Sequence, residues 1–119
     1  MELRIDAADE QTILSALREG DLRRAARLMV RSHGLAVFER CFQVVGDAAT
    51  AEDLTQASFA RAFALLGGFR GELSSRQWLL GIAERCAREH DTRSAAPDKP
   101  PERVSESLLR RLEVLAAAL

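Results

Sequence analysis

Apolar residues along this chain recur at every third or fourth position, and nowhere do they alternate strictly with polar ones for the length of a strand. The pattern predicts helices throughout. Ile13, Leu14 and Leu17 mark one face of a first helix that follows Asp9 and stops at Gly20. Asp21 then caps a long second helix, in which Leu22, Ala25, Leu28, Met29, Val37, Phe38, Cys41, Phe42 and Val45 share a helical period until Gly46. Gly34 lies inside it, where glycine costs about 1 kcal/mol relative to alanine, so the position marks either a bend or the close approach of another helix. A third helix opens after Asp47 or after Thr50, since Thr50-Ala51-Glu52-Asp53 has the form of a capping box, and its stripe runs Leu54, Ser58, Phe59, Ala62, Phe63 and Leu66.

Gly67, Gly68 and Gly71 then border Phe69 and Arg70 in a loop that can bring its backbone close to a ligand or take unusual dihedrals. Ser74 or Ser75 caps a fourth helix with Trp78, Leu79, Ile82 and Cys86 on its apolar face and charged residues from Glu84 to Arg93. Pro97, Pro100 and Pro101 forbid a continuous helix beyond it. A last helix begins at Ser105 and carries Leu108, Leu112, Leu115 and Leu119 at a spacing of four, three and four. Those leucines form either a short coiled-coil-like seam for self-association or a face that folds back on the core. The expected architecture is all-α: a compact bundle of about four helices in residues 1–93, a linker in 94–104 and a C-terminal helix in 105–119.

Composition narrows the class. A chain of 119 residues, 47% apolar and 29% charged, is one ordinary globular domain rather than a disordered or fibrous chain. Cys41 and Cys86 sit in apolar helical patterns, too few for a disulfide framework, and are expected to be reduced. No apolar run approaches the roughly 18 residues of a membrane span, and the acidic stretch Met1 to Glu10 is unlike a signal peptide, so a cytoplasmic place is expected. A net charge of −1 excludes an indiscriminate polyanion binder, so any DNA contact must be local. The second helix offers one source, with Arg18, Arg23, Arg24, Arg27, Arg31 and Arg40 on or beside it.

Chemistry-bearing motifs are scarce. Walker loop, nucleophile elbow and paired catalytic carboxylates are all missing, and neither enzymatic activity nor a cofactor is expected. Cys86 and His90 lie four apart, with Cys41 and His33 elsewhere, but this is not the paired spacing of a structural zinc site, and no metal is expected.

The ordered run Gly46-Asp47, Ala51-Glu52-Asp53-Leu54-Thr55-Gln56, Phe59, Arg61-Ala62-Phe63, Phe69-Arg70-Gly71-Glu72, Ser74, Arg76, Trp78-Leu79 and Ile82-Ala83 resembles region 2 of the extracytoplasmic-function sigma factors of the sigma-70 family. The likeness covers roughly Asp9 to Arg93. It implies a helical module that docks on the β′ coiled coil of core RNA polymerase through the helix of the AEDLTQ box, with Asp53, Gln56 and Arg61 as candidate contacts. It also implies that the loop and the following helix hold single-stranded promoter DNA of the minus-ten element with one base flipped out. Arg70, Gly71, Ser74, Arg76, Arg85 and Arg88 are the candidate DNA contacts. Trp78 has two readings, a stacking platform for a base or a core residue on the stripe with Ile82, and core packing is the plainer. An anti-sigma factor is a further partner that the family brings.

The chain departs from the family where DNA is read. Ala57 follows the DLTQ box where an acid is usual, and Leu80, Gly81, Glu84 and Arg85 replace a usual tyrosine, two arginines and an asparagine. The stretch from Arg70 to Arg93 holds five arginines against four acids, little positive charge for binding a strand. The alternative expectation is therefore a sigma-like protein-interaction module that has lost promoter melting. The helix-turn-helix region 4 of the family has no counterpart in these residues, as expected for either a piece of a longer chain or a stand-alone region 2.

Overall fold

The structure, a computed structural model, describes residues 7–90 and 103–119. Residues 94–102 of the expected linker lie outside that range. Every regular element among the described residues is helical: α1 (Ala7–Arg18), α2 (Leu22–Val45), α3 (Ala48–Leu65), a 3-10 turn (Leu66–Gly68), α4 (Ser75–Glu89) and α5 (Glu106–Ala117). The all-α bundle expected from the periodicity is what forms.

Local chemistry sets the helix ends. Gly20 takes φ +79°, and the bonds from Gly20 N to Leu17 O and from Asp21 N to Ala16 O close a Schellman turn after α1. The Asp21 carboxylate accepts from Arg24 N at the start of α2, and Gly46 ends that helix at φ +72°. Of the two candidate caps for α3 it is Asp47, whose carboxylate accepts from both the backbone N and the hydroxyl of Thr50 at 2.8 and 2.7 Å. These two bonds, the hydroxyl's foremost, hold the Asp47 carboxyl below the usual aspartate range. Ser74 rather than Ser75 caps α4, accepting from Gln77 N.

With its 24 residues α2 is about 36 Å long, and it packs against each of the other four helices. Its buried stripe, including Met29, Val30, Val37, Phe38 and Cys41, meets Ile13 of α1, Phe59 and Phe63 of α3, Leu79 and Ala83 of α4, and Leu108 and Leu112 of α5. Gly34 lies within one unbroken helix. Leu112 Cδ1 lies 3.9 Å from where a β-carbon would stand, so the glycine marks the close approach of α5. Burial pushes the Cys41 thiol up to about 11, against the smaller opposing effect of hydrogen bonds to Thr55 and Ser58, which leaves the thiol protonated and inert at neutral pH.

Most of the candidate seam on α5 faces inward. Of the seam leucines, Leu108 and Leu112 are fully buried and Leu115 is half-buried, whereas Leu119 is exposed, as is Leu109 on the other face of the helix. The candidate self-association seam is thus consumed by the chain's own core, because a short amphipathic helix gains more by burying its apolar face than by standing in water. Leu112 alone, on typical large-to-small costs, contributes about 2–5 kcal/mol.

Candidate functional site

The front of α3 carries Glu52, Asp53 and Gln56 within little more than one helical turn. Leu54, Thr55, Ser58 and Phe59 of the same helix are buried, and the Thr55 and Ser58 hydroxyls donate to the carbonyls of Ala51 and Leu54 at 2.7 Å. That inward set fixes the rotation of α3 and leaves the carboxylates and the amide pointing away from the core. There they meet Arg111 of α5, which donates from Nη1 to Gln56 Oε1 at 2.9 Å and from Nη2 to Glu52 Oε1 at 3.1 Å. Asp53 Oδ1 stands 3.7 Å from the same guanidinium and remains mostly exposed.

Arg61, the third residue that the resemblance assigns to docking, is not part of this group. It lies on the later half of α3, pairs with Glu89 at 3.2 Å and borders a groove of about 330 Å³ between α3 and α4. Leu65, Leu73, Trp78 and Ile82 supply apolar wall, and Arg61, Gln77 and Arg85 supply the polar groups. Leu65 and Leu73 are more than half exposed. Trp78 is half-buried rather than sunk in the core, and its ring lies against Phe69 with centroids 4.6 Å apart and 31° between the planes. It packs against the core as its periodicity implied and also lines the groove with part of the indole.

The other candidate DNA contacts differ in how free their charge is. Arg76 and Arg85 are exposed and form no ion pair among the described residues, and Arg70 donates only to the carbonyl of Gly67. Arg88 is engaged: it donates twice to Glu84, at 2.7 and 3.0 Å, while Glu84 also accepts from Arg40 of α2. Arg88 beside it, and Arg40 to a lesser degree, hold the Glu84 carboxyl below the usual glutamate range. Gly71 takes φ +85°, and a β-carbon there would come within 3.3 Å of Leu14 Cδ2, so the FRGE loop leans on α1 at a residue that must be glycine.

A polar anchor absent from the sequence reading holds the start of α4. Glu10 of α1 accepts from the backbone N of Ser75 at 2.9 Å and from its hydroxyl at 2.5 Å, and His33 Nε2 of α2 meets the same hydroxyl at 2.7 Å. Three helices converge on one buried serine. The carboxylate also lies at the N-terminus of α4, where the helix dipole favours negative charge. Only His33, in register with the buried Met29, Val30 and Val37, carried a signal of burial in the sequence; nothing singled out Glu10. His33 is thereby directed to Ser75, and among the described residues no group of three or more His, Cys, Asp or Glu is arranged to hold a metal ion. No described helix is long and apolar enough to cross a membrane.

A helical bundle with a capped, glycine-bordered loop before its tryptophan helix is the architecture expected of a sigma region 2, and comparison with known proteins agrees. Residues 29–95 match the Sigma-70 region 2 family, more than half of the chain, and the chain belongs to that family. It is similar to the RNA polymerase sigma-H factor of Pseudomonas aeruginosa, with 32% identity over 81 residues. That alignment takes in 68% of this chain but only 42% of the relative, so the chain spans less than half of that protein's length. No solved structure matches it.

Proposed function

We propose that the chain acts as region 2 of an extracytoplasmic-function sigma factor, docking on core RNA polymerase through the front of α3 and holding the minus-ten strand of promoter DNA at the groove between α3 and α4. The observation that carries the reading is that groove. Its apolar wall with a partly exposed indole suits the face of an unstacked base, and the guanidinium of Arg85, unpaired among the described residues, and those of Arg70 and Arg76 nearby in the chain suit phosphate. On the docking side Asp53 and Gln56 offer charged and neutral acceptors to a partner helix. Neither surface needs to make or break a covalent bond, so the role is binding and strand separation.

Titration of core polymerase and of a single-stranded minus-ten oligonucleotide with the folded chain tests the reading. Saturable binding of both is expected, and absence of both sinks it. A second reading, a protein-interaction module without promoter melting, is favoured by one observation: Glu84 and Glu89 neutralise Arg88 and Arg61 beside the groove. Under that reading polymerase binding persists while the oligonucleotide is bound no more tightly than a scrambled strand.

A further inference from the structure

The docking face of α3 is occupied in this structure by a segment of the same chain. Glu52, Asp53 and Gln56 all address one guanidinium, that of Arg111, and two of the three are the residues assigned above to polymerase docking. We propose that α5 is an intramolecular occupant of the polymerase-docking face, and that core polymerase binds only as α5 is displaced from it. The inference rests on the docking reading and adds its regulation.

Geometry sets the two occupants in competition. Arg111 already takes the Oε1 atoms of Glu52 and Gln56 at hydrogen-bond distance, and the body of α5 stands behind it with Leu108 and Leu112 fully buried against the bundle. A partner helix approaching the same turn of α3 finds Asp53 still mostly exposed but must take Gln56 from Arg111 and compete with the body of α5 for the space behind it. α5 packs against α2 at Gly34, where a β-carbon would stand in ordinary contact with Leu112.

The contact is also suited to exchange. Its polar part is half-exposed, with the Arg111 and Glu52 side chains 36% and 27% accessible, and such ion pairs hold weakly against water and salt. Arg111 Nε is buried without a hydrogen-bond partner, a desolvation cost that opening relieves. Beside Gln56 a groove of about 320 Å³ between α3 and α5 stays uncovered, bordered by Arg110, Val114 and Leu115, from which a competing helix can begin to displace α5. A partner that binds only the open form has its apparent affinity reduced by the fraction that is open, so loosening α5 must tighten binding.

The test compares the 119-residue chain with Arg111→Glu, which sets a carboxylate against Glu52 and Asp53, and with Arg103→Glu, the same charge change at an exposed position outside α5. Titrated against core polymerase, R111E is expected to bind about three- to tenfold more tightly than the unaltered chain, and R103E equally to it. Arg111→Gln, a milder change, gives a smaller gain and serves if the glutamate variant fails to fold by circular dichroism. Hydrogen exchange on the unaltered chain supplies the second readout: amides of α5 lose protection when polymerase is added. Equal affinities for the Arg111 variants and the unaltered chain, a gain matched by R103E, or α5 still protected in the complex overturns the proposal. Failure of every chain to bind polymerase overturns the docking reading itself, and this inference with it.

Discussion

The front of α3 and the α4 surface beside the groove both carry charge that the chain itself answers, but over very different separations in sequence. At the front, Glu52, Asp53 and Gln56 are answered by Arg111 from a helix 55 to 59 positions away in sequence, an answer that can be withdrawn when α5 moves. Beside the groove, Arg88 is answered by Glu84 one helical turn earlier on α4, an answer that stays wherever α4 goes, even though Glu84 also takes Arg40 of α2 and Arg61 of α3 pairs with Glu89. A tertiary ion pair can serve as a switch, whereas an i,i+4 pair is a standing property of the surface. The difference separates a proposed docking face that is covered but intact from a proposed DNA face that is open but diluted in charge.

The largest effect that sharpens this contrast belongs to Leu112. Leu112→Ala should cost about 2–5 kcal/mol in urea unfolding, since it empties the contact that seats α5 on α2. Trp78→Ala comes next: if the indole stacks on a base, its loss should weaken binding of the minus-ten oligonucleotide by about 1–3 kcal/mol in anisotropy titrations, with little change in polymerase affinity. Unchanged oligonucleotide binding would break the assignment of the groove.

Ser75→Ala should destabilise the fold by about 1–3 kcal/mol, because the Glu10 carboxylate and His33 Nε2 both lose the hydroxyl they share. Oligonucleotide affinity is expected to fall with it as the start of α4 loosens, which a thermal melt and a titration on the same variant report together. The smallest effect is expected from Glu84→Gln, which frees Arg88. Binding of the oligonucleotide should tighten by about two- to fivefold at low salt, with a salt slope steeper by about one phosphate contact.

Glu84 also sets a pH dependence. Its carboxyl titrates below the usual glutamate range in the folded chain, so the stability it contributes is present above the ordinary glutamate pKa and is lost as pH falls through the lowered folded value. Acid unfolding of Glu84→Gln should therefore differ from that of the unaltered chain above that window and converge with it below. A difference that persists at the lowest pH would place the effect elsewhere.

Much of the fold was legible in the residues because its signals are local. Asp21, Asp47 and Ser74 act on backbone amides three positions on, and Gly20 and Gly46 end helices by taking a left-handed conformation that other residues resist. The apolar stripes gave the helices and most of the core. Trp78 packs against the core as its stripe implied, but periodicity assigns a face and not a depth: its neighbour Leu79 is fully buried while the indole is only partly covered. The site residues split for a similar reason. Asp53 and Gln56 share a turn and stay together, whereas Arg61 sits far enough around and along α3 to face α4 instead.

What the sequence by itself determined, then, is the set of helices, their caps and the ordered motifs that match sigma region 2, each encoded within a few residues of where it acts. Only the tertiary structure decided that α5 turns most of its seam leucines into the bundle, that Arg111 lands on Glu52 and Gln56, and that Glu10 and His33 meet at Ser75. Those contacts join positions 42 to 65 apart, and whether they form depends on how helices cross, which no spacing along the chain specifies.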